Sequence, residues 1–389
     1  MANTSCNERA ARLLDCCLRG EPWTPELLDS LTTDECSDVL FRVVAEGLAD
    51  LFEPRLCDIY AQLFAEILAP GESAALVERY RRVRLPRRVS GDPRALFVLS
   101  RITLGADVAV TSVILDAAKR RFPRSSIYLV GPRKNWELFA ADPRILHLAV
   151  NYRRGSLRDR LAAGPDLRAA LAGGPDSIVI DPDSRLTQLG LLPVCPDDRY
   201  YFFESRAYGG DGDDALPVLT RRWANETLGA SDASPFVAPL PVPRRSEVGI
   251  AVSLGVGDNP AKRLADPFEA DLLALLAETG QPITIDLGAG GEEAARVQRA
   301  IAQSGAAVET WNGSFAGFAS IIARSRLYVG YDSAGQHVAA ACGTPLISIF
   351  AGFPCDRMFV RWRPAGNVIR AGDRAPDRIL ADVRAVLRF

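Results

Sequence analysis

The spacing of hydrophobic residues changes along the chain, and the first part has the spacing of helices. Apolar residues recur every three or four positions across residues 39–52 and again across residues 59–67. Pro54 and the pair Pro70-Gly71 interrupt this spacing. The pattern therefore predicts an all-helical appendage over residues 1–88.

From about residue 94, short apolar runs alternate with amphipathic segments. The run at residues 95–99 is continuously apolar, as expected of a strand covered on both faces, and an amphipathic segment follows at residues 108–121. Three more strand-like runs follow, at residues 126–130, 147–150 and 177–180. Such alternation indicates the α/β class with a mostly parallel, doubly wound sheet, and we predict a first Rossmann-like domain over residues 89–234.

A proline-rich segment at residues 235–243 precedes a second series of the same kind. Its strand-like runs and helical patterns lie at residues 248–252, 267–279, 283–285, 292–303, 327–329 and 346–350. We predict a second Rossmann-like domain over residues 244–375. Two such domains are expected to bind a ligand in the cleft between the carboxyl ends of their strands.

Composition narrows the class of protein. The chain has 389 residues, 48% of them hydrophobic, and a formal net charge of −2, which gives no excess of positive charge for nucleic acid. No apolar stretch approaches the roughly 20 residues of a membrane-spanning helix, and the first residues lack the order of a secretory signal. We therefore expect a cytoplasmic protein. The five cysteines of the helical region, none in a C-x-x-C pair, are expected to be buried and reduced.

The helical region ends in a basic stretch with six arginines between residues 79 and 88. Two interpretations are open. The stretch contacts anionic lipid, which implies a peripheral position at the inner membrane, or it is an arginine-rich, solvated helix end.

The segment after the apolar run 327–331 is the most informative one. The run breaks into a small polar turn at Asp332 and Ser333, and a helix of small residues starts there. Unpaired backbone N–H groups and the positive end of a helix suit a diphosphate. His337, one of only two histidines, lies in the same segment. The alternative is an ordinary turn capped by Asp332 or Ser333, with His337 as a structural residue.

This segment resembles the donor-binding signature of glycosyltransferase family 9, the ADP-heptose heptosyltransferases. That signature is Asp-Ser/Thr-Gly-x-x-His, then an alanine-rich helix and Gly-x-Pro. Ala334 replaces the usual glycine, and Gly335 follows it. The resemblance covers about residues 94–375 and implies a GT-B fold, in which two Rossmann-like domains face a central cleft. It also implies that residues 376–389 pack back on the first domain.

The resemblance implies donor-binding roles for individual residues. Residues 332–337, namely Asp332, Ser333, Ala334, Gly335, Gln336 and His337, would hold the diphosphate. Lys262 would lie in a phosphate loop, Glu292 would meet the ribose, and Ser314 would lie near the nucleobase. The alternatives are an exposed Lys-Arg pair, an acidic residue that favours the helix dipole, and a helix cap, respectively.

The family's catalytic base falls on Asp107, in the turn after the first strand of the first domain. Ala106 stands where the family usually has glycine. Aspartate at this location is also a common helix N-cap, and both roles fit one geometry.

Asp181 and Asp183 form an Asp-x-Asp pattern after an apolar run. Carboxylates at this spacing suit Mg²⁺ or Mn²⁺ in GT-A glycosyltransferases. The same residues are frequent in turns, and they lie in the first domain, away from the diphosphate turn. We therefore expect no metal and no cofactor.

The sequence thus leads to a hypothesis of inverting sugar transfer. An acceptor hydroxyl attacks the anomeric carbon, Asp107 takes its proton, and Lys262 balances the charge of the departing diphosphate. The resemblance implies ADP-heptose as the nucleotide-sugar donor and a glycolipid of the lipopolysaccharide core as the acceptor. Three alternatives stay open: another nucleotide sugar, a protein acceptor, and a decayed site that only binds nucleotide sugar.

Overall fold

The computed structural model describes residues 2–243, 249–257, 259–288 and 290–387, with side chains from residue 5 onward. Two parts of the predictions above lie outside the described residues: the predicted domain start at residues 244–248, and residues 388–389 of the last predicted segment.

The chain divides into two compact units, neither of them continuous in sequence. The first consists of Met1–Thr103, Val113–Trp136 and Arg144–Ser234, and the second of Leu104–Ser112, Glu137–Pro143 and Pro235–Phe389. The predicted domain boundaries at residues 88, 234 and 375 therefore stay predictions.

The N-terminal region is helical, as its hydrophobic spacing predicts. Its helices are α1 (Ala2–Arg19), α2 (Pro25–Thr32), α3 (Ser37–Val39), α4 (Glu46–Ala49), α5 (Pro54–Leu68) and α6 (Ser73–Val83), and a π-helical stretch, Leu40–Ala45, joins α3 to α4. Pro25 and Pro54 each start a helix, where a missing N–H removes no intrahelical hydrogen bond. Among the described residues, no helix combines the length and the apolar composition needed to cross a membrane.

Five parallel strands form the sheet of the first unit. They are β1 (Ala95–Leu99), β2 (Ser126–Gly131), β3 (Ile145–Ala149), β4 (Ser177–Asp181) and β5 (Tyr200–Phe202). Their order across the sheet is β3-β2-β1-β4-β5, as in a Rossmann-like fold. The helices that follow the strands in sequence are α7 (Leu104–Ala106), α8 (Ser112–Arg121), α9 (Arg133–Trp136), α10 (Leu157–Leu161), α11 (Gly164–Ala170) and α12 (Leu216–Leu228).

The N-terminal helices and this sheet share one hydrophobic core. Phe64 and Tyr80 of the helices belong to the same buried cluster as Phe97 and Phe202 of the sheet. The rings of Tyr80 and Phe202 lie 5.8 Å apart, and the Tyr80 hydroxyl donates to the buried carboxylate of Glu204. The prediction of an appendage is therefore wrong, because the helices bury apolar surface of the sheet.

Arginines at the end of the N-terminal region anchor it to the first sheet. Arg79 and Arg82 each pair with one carboxylate oxygen of Asp197, at 2.7 and 2.6 Å. Arg87 donates to three backbone carbonyl groups around the start of β5 and covers the ring of Tyr201. The solvated alternative is therefore wrong for Arg79, which is 8% exposed, whereas Arg82 and Arg87 are exposed as well as paired. Lipid contact stays a prediction.

Cys6 and Cys36 form a disulfide, with their Cα atoms 5.5 Å apart. Both residues are almost fully buried, and the Arg9 guanidinium donates to both sulfur atoms. The expectation of reduced thiols throughout the helical region is wrong for this pair, because helix packing brings together two cysteines that are 30 residues apart. The other six cysteines are not in a disulfide.

Six parallel strands form the sheet of the second unit. They are β6 (Ile250–Ser253), β7 (Ile283–Asp286), β8 (Val308–Trp311), β9 (Leu327–Tyr331), β10 (Leu346–Phe350) and β11 (Asn367–Arg370). Their order is β11-β10-β9-β6-β7-β8, which again has the Rossmann-like crossover. The helices are α13 (Phe268–Ala277), α14 (Gly291–Ser304), α15 (Phe315–Ile322), α16 (Ala334–Cys342), α17 (Asp356–Trp362) and α18 (Pro376–Val386).

The last helix packs within the second unit. Ile379 and Val383 of α18 belong to the hydrophobic core of the second sheet, and Arg384 pairs with Glu278 after α13 at 2.8 Å. The prediction that residues 376–389 pack back on the first domain stays a prediction. The apolar face of α18 is already covered by its own domain.

The disulfide predicts the number of thiols that react before and after reduction. A thiol reagent is expected to find six free thiols in the unfolded, unreduced protein and eight after reduction. Loop entropy for a closure of this length is worth about 3–4 kcal/mol, so reduction is also expected to lower the melting temperature.

A Cys355→Ser variant serves as the control, because it is expected to lower both thiol counts by one. Eight thiols before reduction would show that Cys6 and Cys36 are not paired.

Candidate functional site

The turn after β9 places Asp332 at the carboxyl end of an interior strand. β9 pairs with β6 on one side and β10 on the other. Asp332 is 4% exposed, and its Oδ2 lies 2.8 Å from the Nζ of Lys262, which also donates to the Asp332 carbonyl at 3.3 Å. A buried carboxylate requires such a partner, because an unpaired charge away from water is costly. The fold thus brings together two predicted donor-binding residues that are far apart in sequence.

The 3₁₀ turn Pro260–Lys262 is held from two sides. Gly352, with φ of +65°, packs so closely on the carbonyl group before Lys262 that a Cβ atom there would overlap it. Beyond the turn, Arg263 donates to Glu269 Oε1 at 3.2 Å, and Arg296 donates to the same oxygen. Glu269 is 2% exposed, so this contact lies inside the unit. The alternative of an exposed Lys-Arg pair is therefore wrong.

Neither Asp332 nor Ser333, the two residues considered as N-caps, caps the first turn of helix α16. Among the described residues, Ser333 makes no side-chain cap bond, and the Asp332 carboxylate is engaged by Lys262 and Gln336. Gly335 lies against Tyr328, where a Cβ atom would overlap the phenol oxygen. The first backbone N–H groups of a helix lack intrahelical partners and form its positive end. The capping alternative is thus wrong, and the turn keeps N–H groups for an anion.

Gln336 and His337 are buried behind this turn. The Gln336 amide nitrogen donates to Asp332 Oδ1, and its amide oxygen accepts from the Ser348 hydroxyl. The His337 ring lies edge-on to Trp362, with centroids 5.7 Å apart. Burial lowers the pKa of His337 to about 4, with Lys262 lowering it further and Asp332 partly opposing the shift. The imidazole is therefore neutral at pH 7.

Asp107 lies on a helical segment that packs against α16. Gly105 faces this helix so closely that a Cβ atom would lie 3.1 Å from the His337 ring and 3.3 Å from the Ala334 Cα. Asp107 is fully buried at the start of the π-helical stretch Asp107–Thr111, and Thr111 donates to its Oδ1 at 2.6 Å. Because α7 precedes it, Asp107 is not a helix N-cap, and that alternative is wrong. Single π-helical turns are frequent at functional sites.

Glu292 and Ser314, predicted to lie near the ribose and the nucleobase, have different surroundings. Glu292 is exposed in the first turn of α14. Its neighbour Glu293 instead accepts from the Val256 N–H at 3.3 Å and lies against Gly288, at the turns after β6 and β7. Ser314 caps α15 by accepting from the N–H three residues on, at 3.1 Å, as the capping alternative predicts. Donor contacts of Glu292 and Ser314 stay predictions.

The Asp181 and Asp183 carboxylates accept hydrogen bonds from side chains of the first unit. Asp181 accepts from the Tyr200 hydroxyl at 2.6 Å, and Asp183 accepts from Arg206 at 3.0 Å and Ser205 at 2.9 Å. Burial raises the pKa of Asp181 to about 6, although the hydrogen bonds that it accepts oppose the shift. Within the described part of the chain, no group of three or more His, Cys, Asp and Glu side chains is placed to hold a metal ion.

A comparison with protein families finds one match, which lies in the second unit. Residues 262–371 match the model of glycosyltransferase family 9 (heptosyltransferase). This segment begins at Lys262 and includes the turn at residues 332–337. This part of the second unit is therefore similar to glycosyltransferase family 9.

Solved structures with similar folds show the fold class of this chain. The family 9 enzyme of Veillonella parvula DSM 2008 is 16% identical, with a TM-score of 0.56 over 77% of this chain and 92% of that one. E. coli heptosyltransferase WaaC with ADP is 19% identical, with a TM-score of 0.57 over 75% and 98%. The same enzyme with ADP-2-deoxy-2-fluoro heptose is 17% identical, with a TM-score of 0.54 over 74% and 96%. No curated protein sequence matches the chain. The fold is GT-B.

The sequence did not point to three side chains around the site. Glu269 follows a loop and belongs to no motif, so nothing in the sequence links it to Arg263. Glu293 is adjacent to the predicted Glu292, and only the start of α14 decides which of the two turns inward. Thr111 was detectable in principle, because residues four apart on a helix are neighbours.

Lys262 gives the first prediction for the site. Lys262→Ala is expected to weaken the binding of ADP roughly 10- to 100-fold, since a hydrogen bond to a charged group is worth about 1.5–3 kcal/mol. Lys262→Arg keeps the charge and is expected to lose less. Isothermal titration with ADP measures both.

Lys134→Ala is the matched control, because Lys134 is an exposed lysine of the first unit. Unchanged ADP affinity in Lys262→Ala would mean that Lys262 only neutralises Asp332.

Proposed function

We propose that the protein is an inverting glycosyltransferase that moves heptose from ADP-heptose to a hydroxyl of a lipopolysaccharide-core acceptor. The observation that carries this proposal is the pairing of Lys262 with the turn at residues 332–337, inside the segment that matches the family.

The charges of this turn support a diphosphate ligand. Lys262 and the positive end of α16 both attract an anion, whereas Asp332 supplies one negative charge. The N–H groups of Ser333 to Gln336 would donate to the phosphate oxygens, and Lys262 would offset the charge that collects on them as the bond to the sugar breaks. His337, being neutral, adds a polar group without a second cation.

The proposed chemical step is a single displacement. The acceptor oxygen forms a bond to the anomeric carbon as the bond to the diphosphate oxygen breaks, and the acceptor proton passes to Asp107. The packing of Gly105 on His337 and Ala334 supports this role, since it brings the Asp107 segment to the start of α16. The hydrogen bond from Thr111 holds the Asp107 carboxylate in place for this role.

The match of residues 262–371 to the family model supports the choice of donor and acceptor. The family model is described as heptosyltransferase, and the similar structures include one solved with ADP, one solved with a fluorinated ADP-heptose, and one of an ADP-heptose lps heptosyltransferase. We also propose that no metal takes part, because Asp181 and Asp183 are engaged by hydrogen bonds in the first unit.

Asp107→Asn tests the catalytic step. This change removes the base but keeps an oxygen for Thr111, so transfer is expected to fall about 10²–10⁴-fold with little change in melting temperature. Release of ADP and formation of the glycosylated acceptor, both assayed in EDTA, measure the effect.

Asp382→Asn is the control, because Asp382 on α18 forms an exposed ion pair with Arg374, which precedes that helix. Near-normal transfer by Asp107→Asn would require a different base. Loss of wild-type transfer in EDTA that Mn²⁺ restores would contradict the metal-independent step. Release of UDP from UDP-sugars or of GDP from GDP-sugars, with no ADP released from ADP-heptose, would contradict the proposed donor.

A further inference from the structure

Gln336 lies at the centre of a buried set of polar side chains. It is fully buried, as is Ser348, and Asp332 and His337 are each less than a tenth exposed. The Gln336 amide nitrogen faces both Asp332 Oδ1 and His337 Nε2, the latter at 3.3 Å, and the amide oxygen accepts from Ser348. Every polar end of this amide therefore has a partner.

The partners fix which way the amide points. Asp332 is paired with the Lys262 ammonium, so its carboxylate is ionised and only accepts hydrogen bonds. The amide atom that faces it must therefore be the nitrogen, since an amide oxygen there would leave two acceptors in contact. The Ser348 hydroxyl then donates to the amide oxygen on the other side.

This orientation decides where His337 carries its proton. An amide nitrogen only donates, and one of its two hydrogens goes to Asp332, so the other points to His337 Nε2. Nε2 must accept, and an accepting ring nitrogen has no proton. A neutral imidazole in this place therefore holds its single proton on Nδ1. Burial of the ring, which lowers its pKa to about 4, agrees with a neutral form.

We infer that Gln336 is a positioning residue that holds His337 in its neutral, Nδ1-protonated tautomer. His337 then carries its one N–H on Nδ1 and stays uncharged in the field of the Lys262–Asp332 ion pair. The value of that arrangement for an anionic donor rests on the proposed function, whereas the tautomer itself does not.

The only other histidine of the chain provides an internal reference. His147 Nε2 lies 2.9 Å from the backbone oxygen of Gly131, and its ring stacks on Trp136. A carbonyl oxygen only accepts, so Nε2 of His147 must carry a proton. The two histidines are therefore expected to have opposite protonation at Nε2.

Two-bond ¹H–¹⁵N correlation spectra of the full-length, ¹⁵N-histidine-labelled protein test the inference at pH 7.5 without ligand. His337 is expected to show a protonated Nδ1 and an unprotonated Nε2, and His147 a protonated Nε2. A His147→Gln variant assigns the signals. A protonated Nε2 in His337, whether neutral or charged, would overturn the inference.

Gln336→Met removes the amide but keeps an unbranched side chain of similar length. The Nδ1 preference of His337 is expected to weaken, and ADP affinity to fall roughly two- to tenfold, the effect of one lost hydrogen bond. In Ser348→Ala the amide still faces Asp332 and His337, so the tautomer is expected to be unchanged. An unchanged tautomer in Gln336→Met would show that Gln336 does not set it.

The two hypotheses fail separately in these experiments. No ADP binding by the wild type, with His337 in the expected tautomer, would contradict the proposed function only. ADP binding with His337 protonated on Nε2 would contradict the present inference only. If Gln336→Met does not fold, the wild-type spectrum still decides the tautomer.

Discussion

The ion pair between Lys262 and Asp332 is the contact on which the rest of the site depends. A carboxylate that is 4% exposed is tolerated only with a charged partner and filled hydrogen-bond positions, and Lys262 and Gln336 supply both. Lys262 reaches Asp332 because its turn is fixed by Gly352 on one side and Glu269 on the other. The charge of Asp332 then orients Gln336, and through it His337.

The same pair sets the charge of the site without ligand. One ammonium and one carboxylate cancel, and the start of α16 adds about half a positive charge. The site therefore keeps a modest attraction for anions while its buried carboxylate stays paired. A diphosphate would contact Lys262 from the solvent side, because the lysine side chain is 20% exposed. His337 is neutral, so the site does not bury a second cation.

Much of the fold follows from local patterns in the sequence. Buried parallel strands such as β4 and β10 are continuous apolar runs, so their positions and the α/β class were predictable. The turn at residues 332–337 was also predictable, because a strand, a short polar break and small residues stand next to one another in the sequence.

Other features depend on contacts between distant residues, which one sequence does not reveal. The periodicity of the N-terminal helices identifies their apolar faces, but not the sheet on which those faces pack. The pairing of Cys6 with Cys36 requires the packing of two helices. Asp107 looks like an N-cap because its helix begins four residues earlier than the sequence suggests. The choice between Glu292 and Glu293 depends on the orientation of α14.

The central claim is that the Lys262 and α16 site binds the diphosphate of an adenine nucleotide. The most direct test is the melting temperature of the wild-type protein with ADP, UDP or GDP, since a ligand that binds only the native state stabilises it. At about 100 times its Kd, ADP is expected to raise the melting temperature by roughly 3 °C, and UDP and GDP by less. No rise with any of the three at millimolar concentration would contradict the account.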